Sequence, residues 1–143
     1  ISNMKFDNDY FDVVTCLSVI EHVGFDNSMY NYGKNKYKVK IDKTLYKKAL
    51  LELKRVLKQN KWLFLTFPFG KKLTFNNYQQ FDANDLEKIL EIFNPKEYKV
   101  NFYKFENLQW LKTNMEECKS IEPIYKEDIG ISSKSIALIQ MKK

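Results

Sequence analysis

The chain has 143 residues, 44% of them hydrophobic and 15% aromatic, which supplies a core for one folded domain and argues against disorder. Its net charge is +6, yet Arg55 is the only arginine and lysines are spread over the whole length, a solvated surface rather than the clustered, arginine-rich footprint of a nucleic-acid binder. No run of about 18 apolar residues and no charged-then-apolar leader is present, so no membrane span or signal peptide is expected, and two cysteines, Cys16 and Cys118, are too few for a disulfide framework and suit a reduced, cytoplasmic setting.

Residues 1–9 are polar around Phe6. A strand is expected over 10–16, where Phe11, Val13, Val14 and Thr15 suit a pleated, buried surface. It breaks at Cys16-Leu17-Ser18 and delivers Glu21 and His22 onto a short helix. Residues 24–41 form a long connection with Tyr30, Tyr32, Gly33 and Tyr37. It reads either as a lid over a site or as a solvated insertion whose tyrosines pack locally. Asp42 is a suitable N-cap for a helix in which Leu45, Ala49, Leu53, Val56 and Leu57 share a face. That helix should end near Lys58, with Asn60 left-handed after it. The apolar run 62–67, stopped by Pro68, reads as a strand buried on both faces. Strand, helix and strand make a right-handed crossover that sets two parallel strands in one sheet.

Residues 71–81 form a polar, aromatic loop. Asp82 then caps a second helix, with Asp85 in its first turn, Leu86, Ile89, Leu90 and Phe93 inward, and Asn94-Pro95 as its stop. Tyr98, Val100 and Phe102 alternate with Lys99, Asn101 and Tyr103, a strand with one exposed face. Residues 106–134 read as irregular, with a helical turn near 115–118, and the last strand covers 135–141.

Two stretches resemble the class I S-adenosylmethionine (SAM)-dependent methyltransferases. FDVVTCLSVIEHV, residues 11–23, looks like the motif of that family's fourth strand. ALLELKRVLKQNKWLFLTFPFG, residues 49–70, looks like its next helix and fifth strand, with Leu50, Glu52, Arg55, Val56, Leu57 and Lys58 in the pattern L-x-E-x-x-R-V-L-K. Gln59-Asn60-Lys61 replaces the family's Pro-Gly-Gly turn. The resemblance implies an α/β, Rossmann-like methyltransferase fold in part: strands 4, 5, 6 and 7 of seven with flanking helices, the last strand antiparallel and inserted between the 62–67 and 98–103 strands. Residues 1–143 are then the C-terminal part of one domain. The family's glycine-rich loop and ribose-holding acid are absent, no G-x-G occurs, and the four glycines are isolated. Alone, the chain is expected to bind SAM weakly or not at all.

The long loops 24–41, 68–81 and 106–134 leave the carboxyl ends of parallel strands, where open α/β sheets bind ligands. That edge collects Ser18, Glu21, His22, Tyr30, Tyr32, Phe69, Tyr78, Gln79, Gln80 and Trp110. Histidine is the side chain that titrates near neutrality, so His22 is either the base or hydrogen-bond partner of a methyl acceptor or a brace for its turn through Glu21. The resemblance implies cofactor contacts at Cys16, Leu17, Ser18 and Glu21. Substrate contacts are expected from Tyr30, Tyr32, Gln79 and Gln80, the tyrosines stacking on a flat or sugar-like molecule. Some related enzymes bind a metal through Glu-x-x-Glu-His. Here Ser18 stands at the first Glu, so no metal is expected.

The resulting expectation is SAM-dependent methyl transfer to a small-molecule acceptor, a sugar or cell-envelope precursor, by the intact parent protein, with the missing N-terminal half as structural partner. One alternative is a non-catalytic half-domain that pairs through its exposed strand edge. Another is a nucleic-acid methyltransferase or binder. Against this stands the lack of an Asn/Asp-Pro-Pro-Tyr-type motif after the first strand.

Overall fold

A computed structural model describes residues 1–27, 40–123 and 133–143. Five strands form the main sheet in the order β1-β2-β7-β5-β6: β1 (Phe11–Leu17), β2 (Leu57–Pro68), β7 (Ser135–Lys142), β5 (Glu97–Glu106) and β6 (Gln109–Thr113). β1 and β2 are parallel, joined through a 3-10 turn at Ile20–His22 and the helix α1 (Tyr46–Val56). β7 is antiparallel to both β2 and β5, the inserted last strand that the resemblance implied. A small hairpin, β3 (Leu73–Thr74) with β4 (Gln79–Gln80), precedes the helix α2 (Ala83–Phe93), and a short helix α3 (Met115–Cys118) follows β6.

The core lies on one face of the sheet. Leu63, Leu65 and Phe67 of β2 and Ala137, Ile139 and Met141 of β7 are wholly buried there against Ala49, Leu50 and Leu53 of α1 and Ile89 and Phe93 of α2. The period of two along each strand sends the alternate residues to the opposite face. There Trp62, Phe64, Ile136 and Leu138 are only half-buried, and Val13 and Leu17 of β1 are 56% and 55% exposed. Among the described residues, the helices pack on the first face alone. This corrects two expectations. The 62–67 run is buried on one face, not both, and the buried surface expected of β1 shrinks to Cys16, its one fully buried residue; β1 lies at the sheet's edge, in line with the exposed strand edge expected from sequence.

Local chemistry explains several boundaries. Asp42 caps the turn before α1, where its Oδ1 accepts from the Thr44 amide and hydroxyl at 2.9 and 2.7 Å, and α1 itself starts at Tyr46. α1 passes directly into β2 at Leu57, five residues earlier than the apolar run suggests. Asn60 is left-handed, at φ 60°, but within β2, where the strand bulges against β1 between Phe11 and Val13. Lys58 and Lys61 beside this bulge both reach Asp12 of β1, at 2.8 and 3.2 Å. Asp82 and Asp85 form the capping box of α2, and left-handed Asn94 ends it. β6 is a departure from the irregular 106–134 expected: Asn107 and Leu108, at φ 50° and 63°, turn β5 back on itself.

The segment before β1 is fastened across α1 by the single arginine. Arg55 pairs with Glu52 through Nε and Nη2 at 2.8 and 3.0 Å, and donates to the carbonyls of Phe6 and Met4 at 2.7 and 3.0 Å and to Asn8 Oδ1 at 2.9 Å. The amide of Met4 donates to Glu52 Oε2 at 3.0 Å. The arginine's hydrogen bonds hold the Glu52 carboxyl down at about 2. A lysine keeps the charge but not the planar fork that serves these partners together. Arg55→Lys should therefore speed amide exchange at Met4 and Asp9 while β7 stays protected, as read by hydrogen-exchange mass spectrometry or NMR; unchanged exchange would mean that the segment is held elsewhere.

Candidate functional site

β1 stops because Ser18 leaves the strand conformation. Its backbone is left-handed, at φ 51°, a conformation costly for a residue with a Cβ. The Ser18 amide is held from β2 by two acceptors, the carbonyl and hydroxyl oxygens of Thr66, at 3.1 and 3.0 Å. The reversal throws Ile20–His22 into a single 3-10 turn over the strand ends. Gly24, at φ 90°, completes it, and its carbonyl accepts from the Asp42 amide at 2.8 Å. A Cβ there would collide with the Asp42 carbonyl, so the close approach requires glycine.

An open cleft of about 580 Å³ lies against this turn, with Ser18, Val19, His22, Val23, Asn27 and Leu45 among its walls and Ile1 and Ser2 closing one side. The His22 Nδ1 lies 2.7 Å from the carbonyl oxygen of Asn77, in the loop between β3 and β4, and its ring is 5.8 Å from that of Tyr78. Asn27 donates through Nδ2 to the His22 and Phe25 carbonyls at 3.0 and 3.2 Å, and its buried Oδ1 has no hydrogen-bond partner among the described residues.

Of the residues singled out from sequence, Ser18 and His22 reach this cleft. Cys16 is 3% exposed in the core beneath it, and burial, with Glu21 nearby, pushes its thiol up to about 12, far from a nucleophile's range. Leu17 points to the open side of the sheet edge. Glu21 is 2% exposed and faces inward. Gln79 and Gln80 are buried, and their amides donate to main-chain carbonyls: Gln79 to Lys43 at 3.1 Å, Gln80 to Lys71 and Ile121 at 3.0 and 2.9 Å. Those contacts stitch the β3–β4 hairpin to its surroundings, and neither residue lines the cleft. Tyr30 and Tyr32 lie outside the described residues. Trp110 sits on β6 against Phe105, with ring centroids 5.3 Å apart. Val19, Asn27, Leu45 and the N-terminal pair carried no sequence signal, because a tertiary fold brings them to the turn. Among the described residues, no three His, Cys, Asp or Glu side chains converge as a metal site would require.

Glu21 is a second titratable group that burial beneath the turn perturbs. Its Oε2 is buried without a hydrogen-bond partner among the described residues, and burial pushes its carboxyl up to about 7. The folded chain thus holds the proton more tightly than the unfolded one. Glu21's own contribution to stability is therefore full below the ordinary carboxylate range and is lost as pH rises through about 7, by on the order of 3 kcal/mol. Glu21→Gln should flatten that slope, measured as urea midpoints at about pH 5 and pH 8; a variant with the parent's slope would place the titration elsewhere.

No family model matches the chain, and no curated protein matches it by sequence. Solved structures do match in fold. A SAM-dependent methyltransferase from Thermotoga maritima superposes with a TM-score of 0.54 at 17% identity, over 99% of this chain and 61% of its own. One from Methanosarcina mazei gives 0.55 at 13% identity, over 99% and 63%. One from Archaeoglobus fulgidus gives 0.51 at 15%, over 96% and 62%. The chain therefore spans about three fifths of the length of these structures. Its parallel β1–β2 pair and the antiparallel β7 inserted between β2 and β5 give this chain the class I SAM-dependent methyltransferase fold.

Proposed function

We propose that the whole protein transfers a methyl group from SAM to a small-molecule acceptor, and that this chain supplies one wall of the pocket. The observation that carries the reading is the position of the cleft, outside the carboxyl end of β1 against Ser18 and His22, on a sheet of methyltransferase topology. When bound, SAM supplies a methyl group activated on a sulfonium. The residues present fit one side of such a ligand: Val19, Val23 and Leu45 give apolar surface, and Ser18 and Asn27 give polar atoms. Among the described residues no acidic side chain lines the cleft to hold a ribose, and the sequence has no glycine-rich loop. The chain's missing partner is accordingly the first part of the same domain, docked along β1.

In this reading His22 takes the proton of an oxygen or nitrogen nucleophile, and the turn that holds it keeps the nucleophile near the methyl group. A sugar or cell-envelope precursor is proposed as acceptor on the resemblance alone, and a cytoplasmic setting on the two free, buried cysteines. A second reading has one observation in its favour. The outer edge of β1 is unpaired among the described residues, with Val13 and Leu17 more than half exposed, which suits a non-catalytic half-domain that recruits another chain's strand. A nucleic-acid partner has only the dispersed lysines behind it.

Calorimetric titration of SAM separates these readings. The protein expressed from its whole coding sequence should bind SAM, and residues 1–143 alone should bind it weakly or not at all; a whole protein without SAM affinity overturns the enzyme reading. In a whole protein that does bind SAM, His22→Asn should lower turnover by about 10²–10⁴-fold. Turnover equal to the parent's would reduce His22 to a brace.

A further inference from the structure

The β3–β4 hairpin does more than fill the space beside the cleft. His22 is the chain's only histidine. Its Nδ1 meets a main-chain carbonyl, which carries no proton and can only accept, so Nδ1 is the donor. In the neutral ring the lone pair is then on Nε2. A histidine side chain free in water favours the opposite tautomer, with the proton on Nε2. We infer that the hairpin is a positioning element that holds His22 in its Nδ1–H tautomer, which leaves the lone pair of the neutral ring on Nε2.

The hairpin is built to hold that carbonyl still. The Phe75 amide closes the turn on the Tyr78 carbonyl at 2.8 Å, and the two rings stack with centroids 4.7 Å apart. Tyr78 is 1% exposed, with its ring against the imidazole. The Asp26 amide, four residues beyond His22, donates to the Asn76 carbonyl at 3.2 Å, so the turn and the hairpin are joined on both sides of the Asn77 contact. Gln79 and Gln80 anchor the returning strand to Lys43, Lys71 and Ile121. A ring fixed this way cannot exchange its two nitrogens without breaking the Asn77 contact. Tyr78 is thus a positioning residue, acting on His22 through packing.

The inference deepens the methyl-transfer reading and rests on it for its purpose. The acceptor's O–H or N–H bond breaks, its proton moves to Nε2, and Nδ1–H stays on the Asn77 carbonyl. The imidazolium so formed then returns one proton to solvent. The geometry is testable without cofactor or acceptor. Long-range proton–nitrogen NMR of the ¹⁵N-labelled chain reads one imidazole, at a pH where the ring is neutral. A pyrrole-type Nδ1 should dominate over the other tautomer by at least about tenfold. Tyr78→Ala should move the ratio toward that of free histidine, and Tyr78→Phe, which keeps the ring, should not. A dominant Nε2–H form in the unaltered chain overturns the inference, and so does a folded Tyr78→Ala chain with an unchanged ratio. If that variant fails to fold, the unaltered chain still decides. The expected tautomer in a whole protein that binds no SAM would sink the enzyme reading and leave the positioning intact.

Discussion

Two oxygens of Thr66 receive one amide, that of Ser18, and the side of the sheet that carries the cleft starts from this contact. A parallel pair brings its carboxyl ends to the same edge, but it does not say where the first strand must stop. The double acceptor on β2 marks the place. Ser18 can reach it only in the left-handed conformation, and the chain beyond is then turned back over the strand ends. The 3-10 turn, the cleft wall and the presentation of His22 all follow from that one reversal. The local cost of a left-handed serine, of order 1 kcal/mol or more, is borne by the pairing of two whole strands behind it.

The sheet has two unlike faces. On one face Leu63, Leu65, Phe67, Ile139 and Met141 are sealed under α1 and α2. On the other, Trp62, Phe64 and Leu138 are half-buried while Val13 and Leu17 remain largely open. A strand that is apolar on both sides, as β2 is over residues 62–67, suits a sheet covered on both sides. The proposed first part of the domain would meet that need along β1 and across this face.

Much of the architecture was legible because it is written in local chemistry. The 62–67 and 135–141 runs are apolar enough to be strands in any context, and Asp82 with Asp85 encodes its own helix start. The misses have equally local causes. β6 was hidden because its turn is Asn107-Leu108, with a leucine, 91% exposed, at a left-handed position where glycine is the usual signal. The early start of β2 was hidden because Asn60 reads as a helix stop when it is in fact a bulge inside the strand. At the site, Ser18 and His22 follow from their place after β1. Gln79 and Gln80 looked like ligand contacts because an exposed loop of polar residues looks like that, and only the tertiary fold reveals main-chain carbonyls waiting for their amides. Asn27, Leu45 and the N-terminal residues come to the cleft through Arg55, Gly24 and Asp42, contacts that no short window of sequence contains.

Gly70 has a wider reach than its position at the end of β2 suggests. Its amide donates to the Phe81 carbonyl at 2.9 Å, and the next amide, of Lys71, donates to the Ile121 carbonyl at 2.9 Å. That same carbonyl also receives the Gln80 amide nitrogen, and any side chain at Gly70 would strike it. The segment after α3 is thereby wedged against the base of the hairpin whose tip faces His22. Lys71 and Gln80 thus share the Ile121 carbonyl oxygen, so one acceptor ties the segment after α3 to both ends of the hairpin, and a residue without a Cβ at position 70 leaves room for it.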